Sequence, residues 1–188
     1  MKLRWLAIFL GIAISSAPTH AQVGVYGKFD SVRLTATSVG SSTQATTWFE
    51  GPGVGVYYDF LQLGPIAIGA DLRGDLGWGS QQRYRSALFG LRLVVKPPLL
   101  PIRPYIQGSV GAGGSRYDTA PISGDTSYTY STKFQYQVAA GLDYTLLPHL
   151  DLRAAEFEYG RMSGISSGVT APVATIFTLS AGLVVRFP

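Results

Sequence analysis

The stretch FTLSAGLVVRF, Phe177 to Phe187, alternates the apolar side chains of Phe177, Leu179, Ala181, Leu183, Val185 and Phe187 with Thr178, Ser180, Gly182 and Arg186. A period of two marks a β-strand whose two faces meet different surroundings. The same alternation returns along the chain. GVGVYYDF sets Val54, Val56, Tyr58 and Phe60 against Gly53, Gly55, Tyr57 and Asp59. PIAIGADLRGDLGW sets Ile66, Ile68, Ala70, Leu72, Leu76 and Trp78 against Asp71, Arg73 and Asp75. SALFGLRLVV and KFQYQVAAGLDYT do likewise, with Arg92 and Asp143 on their polar sides. GVYGKFDSVRL, with Lys28 and Asp30 on one parity, and RPYIQGSVGAGGSRY follow the pattern more loosely. In LDLRAAEFEYGR it slips: Asp151 and Arg153 share one parity, Glu156 and Glu158 the other, and one extra residue at Ala154 or Ala155 restores the register. A β-bulge has that effect. With the tail the strands number eight, an all-β antiparallel chain.

The opening residues, MKLRWLAIFLGIAISSAPTHAQ, have a charged start at Lys2 and Arg4, an apolar run from Trp5 to Ile14 and a small-residue exit. These are the parts of a secretory signal peptide, with cleavage expected after Ala21. The expected mature domain is 22–188. Of the 15 Lys and Arg and 11 Asp and Glu, Lys2 and Arg4 leave with the leader, so the mature charge is near neutral and implies no nucleic-acid partner. The absence of cysteine excludes disulfide frameworks, thiolate metal sites and thiol nucleophiles. No apolar run beyond the leader reaches the roughly 18 residues of a transmembrane helix.

The polar parity is Gly, Ser, Gln and a few charges of both signs, a set that fills a narrow lumen better than it solvates a surface. Aromatics gather at strand ends on the apolar parity: Trp48, Trp78 and Phe134 toward one rim, Tyr58, Phe60, Tyr144 and Phe187 toward the other. Rings prefer the headgroup zone, so this reads as two interfacial girdles. Compact connections (DFLQLG, KPPLLPIRP, LLPHL) alternate with longer polar ones (residues 35–47, 117–131 and 162–172), WGSQQR being the one short connection among the latter. Short turns on one rim and longer loops on the other mark a membrane-spanning up-and-down barrel with both termini on the periplasmic side.

The tail closing on Phe187 resembles the terminal signal of outer-membrane proteins, and the whole mature chain is similar to the eight-stranded OmpA/OmpX-like barrel family. The resemblance implies a location in the outer membrane of a Gram-negative-type bacterium, with lipid and lipopolysaccharide around it. It also implies presentation of Phe187 to the barrel assembly machinery; in this chain Pro188 follows that residue.

Eight strands enclose an interior just wide enough to be filled by side chains. The expected filling is a network of Asp59, Asp71, Arg73, Asp75, Arg92, Asp143, Asp151, Arg153, Glu156 and Arg186, since buried charges must be paired. Inward glycines at 53, 55, 69, 90, 111, 141 and 182 are expected to make room for the arginines. The alternative use of the same groups is a narrow channel for ions or small solutes. Hydrolytic barrels need histidine near the outer rim, and the two histidines here are His20, in the leader, and His149, in a short turn. No catalysis, metal or cofactor is expected. Arg33, Arg83, Arg85 and Arg116 fall near the outer rim, within reach of lipopolysaccharide phosphates. The long connections are the remaining place for a surface ligand.

Overall fold

The alternation becomes a wall one residue thick. The computed structural model describes residues 22–37, 44–80, 82–117, 132–163 and 174–187. In them lie eight antiparallel strands: β1 (Gln22–Thr37), β2 (Gln44–Leu63), β3 (Ile66–Trp78), β4 (Gln82–Val95), β5 (Ile102–Tyr117), β6 (Lys133–Leu147), β7 (Leu150–Ser163) and β8 (Ala174–Phe187). Each pairs with its neighbours in sequence, and β1 pairs back onto β8, from Val23 opposite Phe187 to Ala36 opposite Ala174. The sheet is therefore a closed barrel with no free edge.

The strands are 13 to 20 residues long. Even 13 residues tilted near 40° rise about 34 Å, so the wall extends past the hydrocarbon at its longer strands. Several stretches expected as connections are paired. Thr35–Thr37 and Gln44–Thr47 continue the β1–β2 ladder, and β2 runs on to Leu63. Beyond the hydrocarbon lipid no longer dictates the outward residues, so the alternation that marks a membrane strand fades while backbone pairing persists. Pro52 sits within β2, opposite Phe29 of β1. It has no N–H to donate, and the β2–β3 pairing passes from Glu50–Trp78 to Gly53–Asp75 without Gly51 and Pro52.

The tight β2–β3 turn places Gly64 at φ 61°, a conformation that favours glycine. With the β4–β5 and β6–β7 connections it lies at the same end as both described termini. The leader with Ala21 and His20, most of the long connections, and Pro188 lie outside the described residues.

The slip in β7 is a bulge. Toward β6, Leu142 pairs with Ala155 and Asp143 with Arg153; toward β8, Arg153 pairs with Gly182 and Glu156 with Ser180. Ala154 is passed over, and Asp151, Arg153, Glu156 and Glu158 all turn inward and are buried. Deleting Ala154 should swing Glu156 and Glu158 toward lipid and Phe157 and Tyr159 into the lumen. The expected result is loss of the band that migrates differently before and after boiling in a detergent gel, while Ala154→Ser keeps it. A folded, heat-modifiable deletion variant would show that the bulge does not set the register.

Candidate functional site

Lipid-facing and inward-facing residues separate cleanly across the middle of the wall. Outward side chains such as Val54, Leu72, Phe89, Leu91, Ile106, Val138 and Leu183 are exposed. Trp48, Trp78 and Phe134 project outward near the long-connection end, and Tyr58, Phe60, Tyr144 and Phe187 near the other. Inside, Asp59, Asp71, Arg73, Asp75, Arg92, Asp143, Asp151, Arg153, Glu156 and Arg186 are buried, together with Lys28, Asp30 and Glu158. Among the described residues eight buried carboxylates thus face five buried cations, and half-buried Lys96 and Arg103 add two more at the mouth on the side of the described termini.

These groups form tiers along the axis. At the mouth, Lys96 Nζ lies 2.7 Å from Asp59, Arg186 Nε 2.8 Å from Asp151, and Arg103 3.8 Å from the same carboxylate. Burial pulls the Lys96 ammonium below the usual lysine range, and the Asp59 carboxylate opposes that shift. Above this, Arg153 donates to both oxygens of Asp143, at 2.9 and 3.3 Å. Its guanidinium carbon stands 4.2 Å from the ring centre of Tyr26 and 4.9 Å from that of Tyr105. Arg92 stacks in the same way, 3.8 Å from Tyr57 and 4.9 Å from Tyr105. The flat guanidinium exchanges hydration for ring faces at little cost.

The central tier is the densest. Glu156 and Glu158 project side by side from β7, and two cations hold them. Lys28 Nζ is 2.7 Å from Glu158 and 3.3 Å from Glu156, and it also reaches Asp30 at 3.2 Å and Asp75 at 3.3 Å. Arg73 Nη1 is 2.8 Å from Glu158 and 3.2 Å from Glu156, while its Nε lies 2.9 Å from Asp71. Neutral donors complete the shell. The Tyr105 hydroxyl donates to Glu156 at 2.6 Å, the Tyr26 hydroxyl and the Gln107 amide to Asp71 at 2.9 and 2.8 Å, the Ser86 hydroxyl to Asp75 at 2.6 Å, and the Gln137 amide to Glu158.

The end toward the long connections is mainly apolar inside, with buried Gln135 hydrogen-bonded to the Tyr84 hydroxyl. Val32, Leu34, Phe49, Tyr84, Met162, Ala174 and Ile176 close together into an apolar cap, with the Phe49 and Tyr84 ring centres 5.8 Å apart. On the same strands the outward neighbours are Arg33, Glu50, Arg83, Arg85 and Arg161. The alternation has inverted: apolar residues face in and polar ones out, as in a barrel standing in water. The lumen is therefore not ionic and wet throughout, because above the hydrocarbon the outer wall takes the charges and the interior becomes an ordinary core.

The glycines also serve a different purpose from the one expected. A side chain at Gly55, Gly141 or Gly24 would strike the rings of Tyr26, Tyr105 or Tyr57; at Gly53 it would meet Asp30, Asp75 and Lys28. At Gly111 and Gly182 the nearest atoms are backbone of the neighbouring strands. Room is made chiefly for tyrosines, and the tyrosines in turn cover Arg92 and Arg153. His149 is exposed in the β6–β7 turn, at the end opposite the apolar cap. Phe187 ends β8 with its ring half exposed on the outer wall.

No family model matches the chain, and no curated protein matches it. Among solved structures it is similar to Neisserial surface protein A, at 18% identity and a TM-score of 0.56 over 87% of this chain and 97% of that one. It is similar too to Ail, the attachment invasion locus protein of Yersinia pestis, at 13% identity and a TM-score of 0.54 over 90% of this chain and 100% of the other. Ail in complex with the heparin analogue sucrose octasulfate aligns at a TM-score of 0.52, with 13% identity and the same coverage. The likeness is one of fold, the closed eight-stranded antiparallel barrel.

Lys28 has the most to lose from neutralisation, because four carboxylates depend on it. Lys28→Met should cost about 3–5 kcal/mol, the usual result of stranding buried partners. Lys96→Met, at a mouth open to water, should cost nearer 1 kcal/mol. Urea unfolding in lipid vesicles, followed by tryptophan fluorescence, reads both. Equal costs at the two positions would mean that the central tier does not hold the barrel together.

Proposed function

We propose that this chain, whose fold is that of the small eight-stranded outer-membrane β-barrels, is a closed and non-catalytic barrel of a bacterial outer membrane, anchoring its polar connections at the cell surface. The observation that carries this reading is the double closure of the lumen. A salt-bridged tier spans the middle, and an apolar cap lies above it. A channel needs a continuous wet path, and both layers stand across it. The placement of His149 at the opposite end from the cap also argues against a histidine-dependent hydrolase at the outer rim. The surface-interaction part of the reading draws support from Ail, which holds a polysulfated sugar in one of its structures. In this chain a surface ligand would meet the long polar connections.

In planar bilayers the purified protein should give no unitary current steps. Reproducible steps that vanish in a loop-deleted, still heat-modifiable variant would favour the channel instead.

Assembly is proposed to proceed through β8. Phe187 closes the seam opposite Val23 with its ring turned toward lipid, where an assembly factor can reach it before β1 docks. Phe187→Ala should lower the amount of folded barrel in cells several-fold while leaving refolding in detergent micelles nearly unchanged. An equal loss in both settings would assign Phe187 to packing rather than to recognition.

A further inference from the structure

Three connections close the barrel at the end that holds the described termini, and each carries leucine at or beside its tip. Leu63, before the β2–β3 turn, is 62% exposed; Leu99 and Leu100, between β4 and β5, are 93% and 57% exposed; Leu147, before the β6–β7 turn, is 59% exposed. One exposed leucine is ordinary, but the same feature on three separate turns makes a surface. The wall just above it is equally apolar. Among the described residues that half of the outer wall carries no charge, and the outward positions nearest the turns include Ile66, Leu146, Leu152 and Phe187. Lys96, at the start of the β4–β5 connection, turns inward onto Asp59.

The backbone of these turns is arranged for a place without water. The Lys96 N–H donates to the Pro65 carbonyl at 2.5 Å, the Thr145 N–H to the Pro101 carbonyl at 2.7 Å, and the Arg186 N–H to the His149 carbonyl at 2.8 Å. Each turn is thus tied to the near end of the next strand along. The Arg186 guanidinium adds a bond to the Pro148 carbonyl at 3.0 Å, and the prolines at 65, 97, 98, 101 and 148 have no N–H to leave unmet. Backbone groups out of water must find their partners within the protein. Depth gives the same answer. On β3 the outward residues run from Leu76, just below the interfacial Trp78, down to Ile66. At a tilt near 40° that interval rises roughly 26 Å, the height of the apolar band on an outer-membrane barrel. The band therefore ends at the turn itself, where Leu63 stands opposite Ile66.

We propose that these three turns are seated in the adjoining lipid leaflet, with Leu63, Leu99, Leu100 and Leu147 inserted among phospholipid acyl chains at the headgroup boundary. The lipid-facing wall continues onto them without a break, so lipid rather than a protein partner covers them. The turns then fix how deep the barrel sits. This rests on the reading of the chain as a membrane barrel, and adds to it a lipid contact made by the connections instead of the strands.

The test places one tryptophan at a time in the mature chain, with Trp48→Phe/Trp78→Phe as background, and refolds each variant into phosphatidylcholine vesicles. Bromine carried near the headgroup end of the acyl chains reports contact with lipid, and iodide on both sides of the membrane reports contact with water. Leu63→Trp, Leu99→Trp and Leu147→Trp should all be quenched by the brominated lipid, and about fivefold less by iodide than Ser80→Trp in the exposed turn at the opposite end. Three positions keep the proposal testable if one variant does not fold, which heat-modifiable gel mobility reads on every sample. Iodide access equal to that of Ser80→Trp at any folded site would overturn it and leave that turn open to a protein partner. Leu72→Trp, on the exposed middle of the lipid-facing wall, separates the two readings. Without quenching by brominated lipid at that position, the membrane barrel itself fails.

Discussion

Glu156 and Glu158 stand next to each other inside a wall too narrow to hydrate them, and the barrel depends on their attraction to Lys28 and Arg73. Removing two carboxylates from water costs several kcal/mol each unless opposite charge and hydrogen bonds replace the lost solvent. Here both replacements are present, and most come from strands far from β7 in the chain: Lys28 from β1, Arg73 from β3 and Tyr105 from β5, with Gln137 from the adjoining β6. The network therefore acts as a set of spokes. It ties the middle of the wall across the axis, in addition to the ladder that ties it around the circumference.

The spokes depend in turn on one backbone irregularity. Without the Ala154 bulge, Arg153 and Glu156 would face opposite sides of the wall, and the lumen would lose either both glutamates of the central tier or the arginine below them. A bulge beside a charge cluster is the least disruptive way to change the facing of a strand in mid-course. It costs one unpaired residue and leaves the neighbouring ladders in register below and above it.

Most of this arrangement can be read from the residues, because a membrane barrel obeys a two-residue period wherever lipid touches it. Strand number, the facing of Asp71, Arg73, Asp75 and Asp143, and the slip in β7 all follow from that period. What escaped it has physical causes. Strand ends above the hydrocarbon lose the alternation, so Thr35–Thr37 and Gln44–Thr47 look like loop. Pro52 looks like a break, yet the wall tolerates it where the β2–β3 pairing is interrupted. Tyrosine was ambiguous: Tyr58 and Tyr144 face lipid, whereas Tyr26, Tyr57, Tyr84 and Tyr105 fill the lumen. A phenol suits both places, and only its parity decides. Lys28 and Glu158 could be given a facing from sequence, but which charges meet depends on distances across the axis, and a linear pattern does not contain those.

The inversion of parity carries the broadest consequence. On β1, Val25 and Phe29 face lipid while Lys28 and Asp30 face in; a few residues later Val32 and Leu34 face in and Arg33 faces out. One strand thus obeys the membrane rule and then the soluble rule, and the crossing point measures where the hydrocarbon ends. β4, β7 and β8 show the same crossing near Tyr84, Met162 and Ile176. An interior that is ionic where the exterior is oily, and oily where the exterior is wet, keeps each level of the wall amphipathic in the sense its own solvent requires. The filled lumen follows from that rule, with paired charges where lipid surrounds the wall and the apolar cap above them.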